Sequence, residues 1–426
     1  MSKVWTLDAV KKAKEAGELI IIYQGKVYNI TKWLPYHPGG MDATDAITAF
    51  HPKWVLEEKL PKFCVGGLAE YHPSKASRDF LALEARLQKE GYFETNYWFY
   101  VREFIKTCIL TSLAVWLLVK GRPGWFEVVA SCLTLAAMWH QVAFVAHDAG
   151  HNGITHNRYI DGAIGTLVAN FVGGLSIGWW KSSHNVHHIV TNDPEHDPDI
   201  QLLPFFAVTT RLFTGVYSTY YKAFLEFDLP AKLLIRFQHL YYYIILGFGR
   251  FNLHALSISH LSKNNQVNPY RMHEIALTSI FWCWYLYLLS YVPTWPMVVV
   301  YVLLGHIATF LLHVQITLSH YGMSCEEHAE DEEFAVKALR TTMNVDCPWY
   351  IDWLHGGLQF QVEHHLFPRM PRHNLRKVRP FVRQYAKDNG ITYVEYPFAE
   401  GNWVVLANLK HVALQAPSLA SILGKE

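Results

Sequence analysis

Residues 126–151 read FEVVASCLTLAAMWHQVAFVAHDAGH. Phe126 to Ala146 is apolar and long enough to cross a bilayer, which takes about 20 residues. It runs straight into His147 and His151, two imidazoles at i and i+4. On a helix that offset falls on one face, about a turn apart, so both side chains can reach one ion. The pattern recurs twice. His184-Asn185-Val186-His187-His188 sets histidines at i, i+3 and i+4, and Gln361-Val362-Glu363-His364-His365 repeats this with glutamine in the first place. Each cluster flanks or follows an apolar segment, which predicts a multi-histidine metal centre at a membrane surface.

Composition agrees. Hydrophobic residues make up 51% of the 426 and charged residues only 17%, against about 25% charged in soluble domains. The net charge of +1 argues against a nucleic-acid partner. The six cysteines are scattered, without CxxC spacing, and read as reduced. The lysine-rich start, Met1 to Ala16, has no apolar core and does not read as a cleaved signal peptide.

Residues 1–70 read as a small soluble α+β domain. Leu19–Tyr23, Gln24-Gly25 and Lys26–Ile30 give a strand–turn–strand signal, and His37-Pro38-Gly39-Gly40 is a turn by composition. Residues 71–100 read as an amphipathic linker. Residues 101–426 read as a helical membrane domain with spans at about 104–119, 126–146, 275–292 and 295–319. The glycine-rich segment 160–180 and the segment 240–259 read as interfacial or partly embedded. With two hairpins, all three clusters and both termini fall on one membrane face, expected to be cytosolic.

Seven box histidines are too many for one four-ligand zinc site and suit two ions. Imidazole binds iron, zinc, copper and nickel alike, so the ligand type leaves the metal open. The three clusters resemble the histidine boxes of membrane-bound fatty-acyl desaturases. A glutamine opening the third box, together with His37-Pro38-Gly39-Gly40 and Ala49-Phe50-His51-Pro52, resembles the cytochrome b5-fusion front-end desaturases. Trp179-Trp180-Lys181, TNDPEHDPDI at 191–200 and FQVEHHLFPRMPRHNL at 360–375 look most like the fungal Δ8-sphingolipid desaturases. Δ6 and Δ8 fatty-acid desaturases share much of this.

The resemblance implies an endoplasmic-reticulum enzyme with two iron ions. It would use O2 and two electrons to place a double bond in a lipid acyl or sphingoid chain. His147, His151, His184, His187, His188, His364 and His365 would be iron ligands. Gln361 would ligate, hold a water or make an outer bond. His320 is a further candidate ligand, with His313 its rival one heptad earlier, and His140 a possible outer partner. Asp148 and Glu363 are candidate imidazole orienters, and Lys181, Arg369 and Arg372 candidate headgroup contacts. His37 and His51 would be the axial ligands of haem b, fed by an NAD(P)H-cytochrome b5 reductase. His51 follows His37 by only 14 residues, a shorter interval than the resemblance implies. That leaves open a pocket with a shortened wall, or loss of haem with a free cytochrome b5 in its place. Two rivals stand beside desaturation: hydroxylation on the same scaffold, and a membrane metal transporter.

Overall fold

The computed structural model describes residues 3–32, 42–263, 268, 270–326 and 332–417. The protein is mainly helical, with a four-stranded sheet at its N-terminus. Strands β1 (Val4–Trp5), β2 (Ile20–Tyr23), β3 (Lys26–Asn29) and β4 (Cys64–Leu68) pair in the order β1-β4-β3-β2. β2 and β3 form an antiparallel hairpin from Ile20↔Asn29 to Tyr23↔Lys26. Its turn residues, Gln24 and Gly25, both have positive φ (47° and 71°), as a two-residue turn between right-twisted strands requires. The run Ile20-Ile21-Ile22 lacks polar alternation because both faces of the sheet are covered. Ile20 and Ile22 pack with Val10 of α1 (Leu7–Glu15), and Ile21 with Ile47 of α2 (Thr44–Phe50). His51 closes α2. His37 lies outside the described residues.

Helix α3 (Lys75–Lys89) begins at Ser74, whose Oγ accepts from the Ser77 amide at 3.0 Å. It is not a free linker. Phe80 and Leu87 are fully buried beside Val362, Leu366, Phe367 and Leu375. An amphipathic stripe reads the same whether it meets lipid or protein, so sequence alone does not show this packing.

Helices α4 (Tyr97–Val119) and α5 (Trp125–Gly150) form a hairpin. Next come α6 (Arg158–Gly165), a π-helical segment over Thr166–Val172 and α7 (Ile177–Ile189). A small hairpin of β5 (Val216–Ser218) and β6 (Ala223–Leu225) precedes α8 (Leu229–Ile235), α9 (Gln238–Gly247) and α10 (Gly249–Ser262). Helices α11 (Arg271–Leu289), α12 (Trp295–Ile307) and α13 (Phe310–Leu318) follow. The chain ends with α14 (Phe334–Thr341), β7 (Asn344–Asp346), α15 (Asp352–His355), α16 (Gln361–Leu366), α17 (Arg372–Asp388), β8 (Glu395–Pro397) and α18 (Phe398–Gln415).

Among the described residues, two helical stretches are long and apolar enough to cross a membrane: Trp125–Gly150 (26 residues) and Trp295–Leu318 (24 residues). The predicted spans 104–119 and 275–292 lie in α4 and α11, which also carry Arg102, Glu103, Lys106 and Arg271, Glu274 near their starts. The bundle's core joins Leu118, Val128, Cys132 and Trp139 to Phe281, Tyr285 and Tyr301. Phe104, Trp116, Phe126 and Trp295 face outward, as a lipid-facing surface would.

The glycine-rich segment is a helix pair bent by 115°. Its bend lies against the middle of α5 and α11, where the last carbonyls of a helix have no helical partner and little water. Four side chains supply donors. Trp284 Nε1 donates to Phe171 O (2.9 Å), Trp139 Nε1 to Val172 O (3.1 Å) and Arg250 Nη2 to Gly173 O (2.6 Å), and His254 Nδ1 lies 3.1 Å from Gly174 O. The buried Arg250 cation, 4.0 Å from the Trp139 ring centroid, thus faces the negative end of a helix. Across the bend, the buried Glu274 accepts from Ser176 Oγ (2.5 Å) and from the Gly178 amide (3.1 Å), holding the start of α7. Trp139→Phe keeps the ring but removes a buried donor, at a cost of about 1–3 kcal/mol. Thermal unfolding in detergent is expected at a lower midpoint; an unchanged midpoint would contradict this role.

Candidate metal centre

Three elements deliver the clusters. His147 and His151 lie at the C-terminal end of α5, His184, His187 and His188 in the second half of α7, and Gln361, His364 and His365 on α16. Ring approach fixes two small residues. A Cβ on Gly150 would sit 2.1 Å from the Trp180 ring, which stacks on His184 at 4.4 Å. Gly356, at φ 58°, lets Phe144 lie against its backbone.

The imidazoles sort into two groups. In the first, His147, His151, His184 and His364 bring nitrogens within 4.8 Å of one another. In the second, His187, His320 and His365 do the same. His188 stands between, stacked on His365 with centroids 4.1 Å apart and 4.7 Å from His364. Its Nε2 lies 3.1 Å from His184 Nε2. The fold therefore brings His320 to the cluster. His313 is elsewhere, against Gly249. His140 is tied to Gln315 and Gln141, not to a box. Gln361 is buried and lines a cleft beside His147 and His364.

The donor chemistry fits metal ions. The buried Nε2 atoms of His147, His151, His364 and His365, and Nδ1 of His188, have no hydrogen-bond partner. Buried polar atoms are rarely left so. Burial first, then neighbouring imidazoles, hold His364 and His365 well below the ordinary histidine range. Both are neutral, the state that offers a lone pair to a metal.

Other polar atoms orient the rings. His187 Nδ1 lies 2.9 Å from Asp197 Oδ2, and His365 Nδ1 3.3 Å from Thr191 Oγ1. His320 Nδ1 lies 3.4 Å from Thr341 O. With Nδ1 engaged, Nε2 points the lone pair at the group. His187, Asp197 and Asp199 could form a third grouping, but the Asp197 contact already occupies Nδ1, so the carboxylates serve the imidazole. The Asp197 carboxylate also accepts from the Asn192 and Asp199 amides. Asn192 Nδ2 in turn donates to His320 O at 2.9 Å. His196, in the same loop, pairs with Thr219 instead.

The expectations for Arg372 and Glu363 are corrected, while Asp148 faces His147 and is held by two further partners. Asp148 accepts from Tyr100 Oη (2.7 Å) and Arg372 Nη1 (2.5 Å), with His147 Nδ1 at 3.9 Å. Arg372 is buried, also meets Glu103 and is no headgroup contact. Glu363 accepts from Asn344 and Tyr393 rather than from an imidazole, anchoring α16. Sequence reading missed Tyr100, Asn344 and Glu274, which carry no spacing signal. In sequence, His196 with Asp193, Asp197 and Asp199 reads as a metal-site mimic, a polar loop or an outer shell to the irons; in the structure Asp197 meets His187.

Residues 123–397 match the fatty acid desaturase family and residues 6–69 the cytochrome b5-like haem/steroid binding domain. The chain belongs to the fatty acid desaturase family. A Komagataella phaffii protein named Delta 8-(E)-sphingolipid desaturase is 46% identical over 99% of this chain and 77% of its own length. A Kluyveromyces lactis protein of the same name is 48% identical over 80% of this chain. This chain spans 60% of that relative. A Helianthus annuus Delta(8)-fatty-acid desaturase is 36% identical over 98% of this chain and 93% of its own length.

Metal binding at the second group predicts that His320→Ala lowers the non-haem metal retained by the purified chain to about half, while His313→Ala leaves it unchanged. Elemental analysis decides; equal metal in both variants would remove His320 from the site.

Proposed function

We propose that this chain is a membrane di-iron Δ8-sphingolipid desaturase. The observation that carries the reading is the pair of imidazole groups with unpartnered nitrogens in a chain of the desaturase family. The first group would hold one iron through His147, His151, His184 and His364, the second the other through His187, His320 and His365. His188 lies beside both groups, and Gln361 lines the cleft beside the first. When bound, iron supplies the O2-derived oxidant that removes two hydrogens from an unactivated methylene pair, with two electrons and two protons completing two waters. The chain's residues orient and shield. Asp197 aims His187, Thr191 aims His365, and Asn192 holds the backbone at His320. Tyr100, Arg372 and Asp148 lock the end of α5 against α4 and α17.

In the N-terminal domain, His37 and His51 would hold haem b. His51 Nδ1 lies 3.2 Å from Ile47 O, which selects the tautomer whose Nε2 carries the lone pair an axial ligand needs. Electrons would come from an NAD(P)H-dependent cytochrome b5 reductase. Membership of this family supports an endoplasmic-reticulum location with both termini and the boxes facing the cytosol.

The names of the fungal and sunflower relatives agree on position 8 and differ on the carrier. The higher identity to the fungal proteins favours a sphingoid base. Expression in yeast lacking Δ8 desaturation, with lipidomics of sphingoid bases and fatty acids, tests this. The expected product is a sphingoid base 2 mass units lighter, lost with His187→Ala or His364→Ala. A product 16 units heavier would mean hydroxylation, and an unsaturated fatty acid alone would move the carrier. Metal uptake that survived both substitutions, with no lipid change, would favour transport.

A further inference from the structure

We infer that Phe50 is the contact through which electrons pass from the N-terminal domain to the histidine cluster. The inference rests on the reading that this domain holds haem. Phe50 is the last residue of α2 and is covalently joined to His51. Its ring meets the His188 ring edge-on, with centroids 5.9 Å apart at 79°. His188 is the imidazole that lies between the two groups. One side chain thus links the helix end bearing the candidate axial histidine to the imidazole adjoining both metal positions.

The contact is built into the fold. Ala49 is buried in the same core as Phe80, Val362 and Phe367. Ser77 Oγ donates to the buried Asp45 of α2 at 2.6 Å. Phe334 packs edge-on against Phe50 at 6.1 Å. Electron exchange falls steeply with distance through space, so a covalent bond followed by one ring contact is a favoured route. In each transfer one electron leaves the haem, which goes from ferrous to ferric, and one ferric ion at the cluster becomes ferrous. No bond forms or breaks. The nicotinamide-dependent reductase restores ferrous haem, and two such transfers serve each double bond.

The test uses the purified full chain, reduced by NADH and a soluble cytochrome b5 reductase, then mixed with O2 and lipid substrate in a stopped-flow instrument. Haem reoxidation is read at the Soret band, beside haem and iron content. Phe50→Leu and Phe50→Met are expected to slow reoxidation at least tenfold with both cofactors retained. Phe50→Tyr, which keeps the ring, is expected to retain the rate, as is Phe334→Leu, which removes a packing partner of Phe50 but not the His188 contact. A wild-type chain without a Soret band overturns the haem reading and this inference together. A wild-type Soret band with undiminished reoxidation in Phe50→Leu or Phe50→Met overturns this inference alone. Equal slowing in Phe334→Leu, or slowing in Phe50→Tyr, assigns Phe50 to packing and also overturns it.

Discussion

Buried imidazole nitrogens gathered together without hydrogen-bond partners from the chain are the constraint on which this fold turns. Five such atoms, on His147, His151, His188, His364 and His365, are buried and unpartnered. Each costs about 1–3 kcal/mol when nothing engages it, so together they rival the net stability of a typical domain. A cation accepting those lone pairs would reverse the sign and so couple metal binding to folding. Burial and neighbouring imidazoles also hold His188, His364 and His365 well below the ordinary histidine range, which limits charge repulsion among them.

The surrounding structure holds the three box-bearing helices in register against any tendency to spread. Each carries an anchor away from its histidines. Helix α5 is fixed by Asp148 against Arg372 and Tyr100, and α16 by Glu363 against Asn344 and Tyr393. The start of α7 is held by Glu274, and the bend before it by Trp139, Trp284, Arg250 and His254. The last set follows from the membrane setting. A helix that stops inside an apolar bundle must find donors for its carbonyls, and an arginine opposite a helix C-terminus satisfies both charge and hydrogen bonding.

The boxes were legible in the sequence because i, i+3 and i+4 spacing maps directly onto one helix face, and the N-terminal hairpin because its turn demands Gln24-Gly25 geometry. His320 was reachable only by resemblance, since its place depends on where α13 ends. What stayed hidden lies between distant elements. Arg372 read as a membrane-surface cation, yet it is buried 224 positions from its partner Asp148. Helix α3 read as a linker because an apolar stripe does not name its partner. Phe50 read only as part of a motif; nothing in the sequence shows its ring against His188. The glycine-rich segment 160–180 showed its apolar character but not its bend, which depends on donors from α5, α10 and α11.

The proposed site holds two iron ions in two imidazole groups. Iron-57 Mössbauer spectroscopy with elemental analysis on the full chain, expressed in iron-replete cells, addresses it most directly. Two non-haem iron atoms per chain in nitrogen-rich surroundings are expected, distinct in their Mössbauer parameters from any haem iron. One non-haem iron or fewer per chain, or zinc in its place, would contradict the two-iron site.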